Sequence, residues 1–557
     1  MPTPVTPRAV ERDIATDEGE TPMVGEGLNR WVFGTSALII LAALTAALIA
    51  PQAFNDVVSA INTVVVNSIG WYYVALVSGF VIFALVVAFS KLGTIRLGPS
   101  DEAPQYPWRT WFAMLFAAGM GIGLVFWGVA EPLWHLAAPP PGFGESGIEA
   151  QGRRAMAQTF LHWGVHAWAV YVVVGLAVAY AVHRKGRPVS IRWALEPILG
   201  KRTNGPIGDA IDIAAVVGTL FGVATSLGLG VNQIAAGLEH LGLVDGSTTV
   251  KLLIIAGITL LATLSVVSGL DRGIAFLSRA NLWLAALLMV AVLILGPTLF
   301  VLRELVSGFG GYIQNFVSMS FQTFAFYGDQ GESWLGAWTT YYWGWWIAWS
   351  PFVGVFIARI SRGRTVREFV SGVLLVPTAV TMLWFSVMGG TALYQQIFGG
   401  ADHIVDGSVS TNTALFDMLG RLPGGSLLSG LAIVLVLVFF VTSSDSGSFV
   451  VDMLTHNGNP NPPVWSRVFW SVLEGAIAAV LIWASSAALG GDTSGISALQ
   501  ALTIVAAAPF SLVMIGMCFS VVKALRHDVA VWERAEETLL RRELAEEAAK
   551  LAAEPTA

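Results

Sequence analysis

The stretch Tyr341-Tyr342-Trp343-Gly344-Trp345-Trp346-Ile347-Ala348-Trp349-Ser350-Pro351-Phe352-Val353-Gly354 decides how this chain is read. It sets Trp343, Trp345, Trp346 and Trp349 in one apolar segment and interrupts that segment with Pro351 and Gly354. Proline lacks an N–H and clashes with the preceding turn, so a helix here is expected to kink or open. Opened backbone inside a membrane survives only where it lines a cavity or is buried in protein. Tryptophan faces beside such a break suit a quaternary ammonium cation, which ring faces attract.

Outward from this stretch, the composition fits a membrane. The chain has 557 residues, 55% hydrophobic and 12% charged, whereas a soluble domain carries roughly 25% charged residues. Apolar runs of ~20 residues between short polar segments give a multi-span helical protein. The short alternating segments of a β-barrel do not occur. Seven runs precede the tryptophan stretch, near Trp31–Ala50, Ile69–Ser90, Trp108–Glu131, Ala157–Val182, Ile207–Leu241, Lys251–Val267 and Arg279–Leu302. The eighth ends at Arg359, and four follow near Phe369–Tyr394, Leu427–Val451, Trp465–Ser485 and Leu499–Val522. The fifth reads as interrupted at Ser226-Leu227-Gly228-Leu229-Gly230. Glu304 to Phe326 reads as an amphipathic helix lying in the interface.

The single cysteine, Cys518, excludes an intramolecular disulfide and reads as a packing residue. No nucleotide loop and no nucleophile–base arrangement is present, so the chain is not expected to be an enzyme or ATP-driven. No nucleic-acid partner is expected either. The first 28 residues are acidic and lack the basic start and short apolar core of a signal peptide. They read as a disordered cytoplasmic tail. With both termini inside, Lys91, Arg96, Arg184, Lys185, Arg187, Arg192, Lys201, Arg202, Arg272, Arg279, Arg359, Arg362, Arg364, Arg367 and Arg467 fall in inside loops. Outside loops keep only Arg153, Arg154, Lys251, Arg303 and Arg421, which satisfies the positive-inside rule. The last 35 residues pair Glu537–Arg541, Arg542–Glu546 and Glu546–Lys550 at i,i+4 and read as a solvated helix.

Two interrupted runs stand five spans apart. The third carries Gly119-Met120-Gly121-Ile122-Gly123, and the eighth carries Trp349-Ser350-Pro351. Three glycines at alternate positions cannot share one helical face, so broken backbone explains them better than close packing. Broken helices at matching places in two halves mark an inverted-repeat transporter. The expected fold is all-α, a polytopic membrane protein of 12 transmembrane helices with a 5+5 inverted repeat. Its segments are a tail at 1–28, two extra helices at 29–93 and a first repeat at 94–303. The interfacial helix at 304–330, a second repeat at 331–522 and a tail at 523–557 follow.

The chain resembles the betaine/choline/carnitine transporter family. The resemblance rests on Gly119 to Gly123 with Glu131-Pro132, on His162-Trp163 through Tyr171, on Trp343 to Gly354, and on Arg359-Ile360-Ser361-Arg362-Gly363. It covers every span and leaves only the two tails outside. It implies the LeuT-like fold shared with amino-acid/sodium symporters, a homotrimer and the bacterial cytoplasmic (inner) membrane. It maps an aromatic box onto Trp163, Trp168, Tyr171 and Trp346, with Trp349 on the inward path. Opened backbone at Gly119, Met120, Gly121 and Gly123 would hold the substrate's other end. Family members that take choline carry Asp where this chain has Gly123, so a zwitterion such as glycine betaine is expected. The resemblance also maps a sodium site onto Ala117, Met120, Phe439, Thr442 and Ser443, in keeping with the oxygen ligands a hard cation takes.

Asp445 and Glu131 are ionisable residues at membrane depth, where charge is costly without a function. Asp445 is expected to order the ion site or the gate. His162 and His166 stand at i,i+4, a spacing that suits a metal pair, but lack an evident third ligand and read as packing and hydrogen-bonding residues. The expected function is sodium-coupled import of a quaternary ammonium osmolyte, with sodium the coupling ion and no other cofactor. The rivals are a sodium-independent carnitine/betaine exchanger, a choline importer and an osmotically gated channel. Sodium-independent exchangers put an arginine in place of the ion, near Leu282 or Arg279 here.

Overall fold

The computed structural model describes residues 27–119, 121–143, 147–268, 271–489 and 496–553. Among the described residues the fold is all-α apart from one two-stranded hairpin, β1 (Ile404–Val405) against β2 (Ser408–Val409). Helix α1 spans Arg30–Ile49, with the Asn29 side chain accepting from the N–H groups of Trp31 and Val32 at its start. Helix α2, Pro51–Phe89, begins on a proline, whose missing N–H costs nothing at that position. Helices α3 (Trp108–Gly119) and α4 (Ile122–Ala137) are one span bent by 65°. Helices α5 (Ile148–Trp163) and α6 (Val165–Ala179) form the next, divided at Gly164. Then come α7 (Pro206–His240), α8 (Thr248–Ser268), α9 (Asp271–Leu295) and the amphipathic α10 (Thr298–Ser320). The second half consists of α11 (Tyr341–Ile360), α12 (Val366–Ile397), α13 (Gly425–Thr455), α14 (Val464–Leu489) and α15 (Ile496–Ala553).

Among the described residues, ten helices are long and apolar enough to cross a membrane, and eleven spans result when the bent α3–α4 pair counts as one. The expected count of twelve is not reached by that measure. The remaining segment, α11, is a helix of 20 residues and largely buried. Its Trp and Tyr side chains carry polar N–H and O–H groups, which lower its hydropathy although the rings bury well.

The helices pair reciprocally. Helix α4 packs on α12 as α11 packs on α6, and α7 packs on α15 as α9 packs on α13. Exchanging the five spans from α3 through α9 with the five from α11 through α15 reproduces those contacts. Leu97 N–H donates to Arg364 O at 2.8 Å and Gly363 N–H to Leu97 O at 2.7 Å. This ties the loop before α3 to the loop after α11, so α3 leaves the face at which α11 arrives. The two halves are therefore inverted. The same face holds the start of the C-terminal tail, where Arg184 pairs with Asp528 and Tyr180 O–H donates to Asp528 at 3.1 Å.

Two expected interruptions are absent and an unexpected one is present. Ser226 to Gly230 stay within a continuous α7. Helix α11 also runs unbroken through Pro351. The carbonyl that Pro351 cannot serve belongs to Ile347, and the Ser350 hydroxyl donates to it at 2.7 Å. The serine beside the proline thus supplies the missing donor and keeps the helix whole. The unexpected break is at Gly164, where a Cβ would stand 2.5 Å from the Phe160 carbonyl oxygen. Only glycine allows the chain that approach.

Helix α10 starts at Thr298, just after Pro297, earlier than the amphipathic pattern suggested. Val306, Phe309, Ile313 and Val317 are exposed along it, while Gly308, Tyr312 and Met319 face the protein. Its Glu304 carboxyl is buried beside the Ser386 hydroxyl, and burial outweighs that hydroxyl's hydrogen bond and pushes the carboxyl up to about 7 from an ordinary 4.5.

Two predictions arise here. Ser350→Ala should cost about 1–3 kcal/mol of stability by orphaning the Ile347 carbonyl. In a Pro351→Ala background, where an N–H is restored, the same change should cost much less. Thermal unfolding of the four purified proteins in detergent reads that coupling. The Glu304 carboxyl is protonated when folded and ionised when unfolded between its two values. Its contribution is therefore greatest below about pH 4.5 and is lost as pH rises to about 7. Glu304→Gln should flatten the melting temperature across that window relative to the parent.

Candidate substrate cavity at the break between α5 and α6

A cavity lies where α4 begins, between α6, α7, α11 and α12. Gly121, Gly123, Trp163, Trp168, Tyr171, Trp345, Trp346, Trp349, Ser226 and Thr381 line it. The four box residues and Trp349 therefore meet in one place, as do two of the four backbone positions. Gly119 ends α3, and Met120 lies outside the described residues.

The break at Gly164 explains how three residues at i, i+5 and i+8 converge. On one straight helix Trp163 and Trp168 would stand about 140° apart. Trp163 closes α5, whereas Trp168 and Tyr171 belong to α6, so the joint re-aims them. The ring centroids of Trp163 and Trp346 are 4.9 Å apart at 70°, and Trp168 meets Tyr171 edge-on at 5.2 Å. Trp345 stacks on Trp346 at 4.9 Å and 13°. Rings in this arrangement offer a cation several faces, each worth ~0.5–2 kcal/mol.

The break also releases carbonyls that fix the rings. A helix end leaves its last carbonyl groups without N–H partners. The His162 carbonyl accepts from Trp346 Nε1–H at 2.9 Å, and the Trp163 carbonyl accepts from the Thr381 hydroxyl at 3.2 Å. Behind the box, Glu131 Oε2 accepts from Trp163 Nε1–H and from the Tyr342 hydroxyl, each at 2.5 Å. One carboxylate thereby ties α4 to α5 and α11.

Helix α4 starts with Gly121 in extended backbone (φ −162°, ψ 177°) and without a side-chain cap. Gly121, Gly123 and Leu124 all border the cavity, so the positive end of the α4 dipole points toward it, where an anion is favoured. A Cβ at Gly123 would stand 2.5 Å from one ring carbon of Trp345 and 3.1 Å from one of Trp163. Any side chain there must push the box apart.

The description "BCCT, betaine/carnitine/choline family transporter" matches residues 31–530. The chain belongs to that family. It is a transporter and not an enzyme. An uncharacterised transporter of Mycobacterium tuberculosis (strain ATCC 25618 / H37Rv) is 48% identical, over 90% of this chain and 84% of its own length. The glycine betaine transporter OpuD of Bacillus subtilis (strain 168) is 44% identical, over 91% and 96%. A glycine betaine transporter of Acinetobacter baylyi (strain ATCC 33305 / BD413 / ADP1) is 42% identical, over 92% and 75%.

Of the sodium positions the family resemblance suggested, Phe439, Thr442 and Ser443 lie together on α13, and Ala117 lies near the end of α3. The Thr442 hydroxyl donates back to Val438 O at 3.0 Å or Phe439 O at 3.2 Å and accepts from Asn281 Nδ2–H at 3.0 Å. Asn281 is buried, and its Oδ1 has no partner. Asp445 lies 3.8 Å from Arg467 of α14. Arg279 is exposed, and Asn281, not Leu282, meets Thr442.

Sequence reasoning missed Trp345, Thr381 and Asn281. Trp345 stood beside Trp346 in the same run, and only the ring stacking shows that both face the cavity. His162 and His166 do not act as a pair. His166 stacks on Trp343 at 5.5 Å and 12°, whereas His162 Nδ1 meets Glu131 Oε1 at 2.7 Å.

Gly123→Ala should weaken substrate binding at least tenfold by driving a methyl group into Trp345, with the fold retained. Intrinsic tryptophan fluorescence titrated with glycine betaine measures the loss, and circular dichroism reports the fold.

Proposed function

We propose that this transporter imports glycine betaine or a related zwitterionic quaternary ammonium osmolyte by sodium symport, with both termini cytoplasmic. The observation that carries the reading is the cavity itself. Aromatic faces of Trp163, Trp168, Tyr171, Trp345 and Trp346 stand opposite the uncapped start of α4 at Gly121 and Gly123. A trimethylammonium group has no N–H to donate and seeks ring faces, while its carboxylate seeks backbone N–H groups at a helix start. Glycine at 123 leaves the cavity without a fixed negative charge at that point. This favours a zwitterion over choline, whose lone positive charge would gain from a carboxylate there. Relatives named as glycine betaine transporters at 42% and 44% identity support the same substrate class.

In this mechanism sodium binds beside Thr442, Ser443 and Phe439, with Asn281 Oδ1 as a further oxygen. The inverted halves then rock about the cavity and expose it to one side at a time. The exposed position of Arg279 favours sodium over a built-in cation. Three copies are expected to assemble, each with its own cavity among membrane lipids.

Uptake of labelled glycine betaine into proteoliposomes tests the proposal. Concentrative uptake is expected with an inward sodium gradient and should vanish when potassium replaces sodium. Thr442→Ala combined with Ser443→Ala should cut sodium-driven uptake at least tenfold. Uptake that ignores sodium but needs substrate loaded inside would replace symport with exchange.

A further inference from the structure

Glu131, His135 and His162 meet beside the aromatic cavity, between it and the face opposite the C-terminal tail. All three side chains are fully buried. Glu131 Oε1 lies 2.7 Å from His162 Nδ1 and 3.2 Å from His135 Nε2, and the three atoms all fall within 4.8 Å of one another. The other carboxylate oxygen serves Trp163 and Tyr342, so Oε1 can change partner without disturbing those bonds.

The imidazoles can free their lone pairs without becoming charged. An imidazole ligates a metal through one nitrogen and keeps its proton on the other. His162 Nε2 lies 3.1 Å from the Thr339 hydroxyl and 3.1 Å from the Gln158 side-chain amide, and once that amide turns its oxygen to the ring both can accept the proton. His135 Nδ1 is buried and has no hydrogen-bond partner, so no competing donor opposes a proton there. Zinc holds nitrogen and oxygen ligands at ~2.0–2.2 Å, which separates neighbouring donor atoms by roughly 3.3 Å in a tetrahedral site. The Glu131–His135 pair has that spacing, and the Glu131–His162 pair needs only to widen slightly.

We propose that Glu131, His135 and His162 bind a divalent transition ion of the zinc type, and that the ion locks the cavity shut. Two imidazoles and a carboxylate favour zinc, cobalt, nickel or copper over magnesium and calcium. Glu131 and His135 lie one turn apart on α4, and His162 lies on α5. An ion held among them fixes Glu131 and, through its other oxygen, the Trp163 ring that walls the cavity, so that ring cannot turn aside when the cavity opens. The ion enters when the cavity opens toward that face. The blocking effect rests on the transport reading above, whereas the binding itself does not.

The purified full-length protein in detergent is titrated with cobalt(II) and followed by visible absorption. One cobalt per chain should give a ligand-field band that zinc displaces and magnesium does not, and His135→Asn should remove it. X-ray absorption of the zinc-loaded parent should show two imidazoles in a nitrogen/oxygen shell, a readout that needs no variant. In proteoliposomes, zinc should inhibit uptake, and His135→Asn should raise the half-inhibiting concentration at least tenfold. Absence of the band, a shell without imidazole, or a band that survives both His135→Asn and His162→Gln would overturn the site. Binding with unimpaired uptake would overturn the lock, and failed uptake without zinc would count against the transport reading alone.

Discussion

A carbonyl released inside a membrane must find a donor, because no water is there to supply one. The joint at Gly164 releases the carbonyls of His162 and Trp163, and the donors that answer are Trp346 and Thr381. Those bonds hold one wall of the cavity against the next. The same requirement appears at Pro351, where the Ser350 hydroxyl serves the Ile347 carbonyl and α11 continues unbroken. Where the backbone breaks, it organises the rings, and where a break threatened, a side chain prevented it.

Charge is rationed around the cavity in a similar way. Its lining carries no ionised side chain among the described residues. The nearest carboxylate, Glu131, stands behind Trp163 and spends its oxygens on indole, phenol and imidazole groups. A cation inside the box therefore meets ring faces first, and an anion meets the start of α4. A zwitterion fits such a space because its two ends need two different kinds of wall.

Much of this was legible in the sequence, and residue type decides which parts. The tryptophans in Trp343 to Trp349 and the glycines in Gly119 to Gly123 pointed to a broken-helix transporter because few other roles need them. The expected bend at the latter is present between α3 and α4. Pro351 misled because its neighbour Ser350 supplies the bond, a local substitution that a proline rule ignores. Gly164 gave no warning, since a lone glycine in an apolar run is ordinary in membrane helices. Its importance comes from the Phe160 carbonyl folded back against it. Asn281 was invisible for another reason, for its partner Thr442 lies far along the chain and only packing of α9 on α13 brings them together.

Helix α15 is 58 residues long, and its first half forms a wall against α7 and α11 while its second half continues as the tail. A single helix has no hinge between those parts. At 1.5 Å per residue, the portion beyond Asp528 reaches about 37 Å further. Tilting the rod by about 5° around the Arg184–Asp528 contact moves its tip by roughly 3 Å. About 48 Å of the rod lies before that contact, so a tilt moves the tail's end slightly less than the far end of the wall, and the tail reports the wall's angle without amplifying it. The rod also works backwards, so a load on the tip bears on the wall beside the cavity.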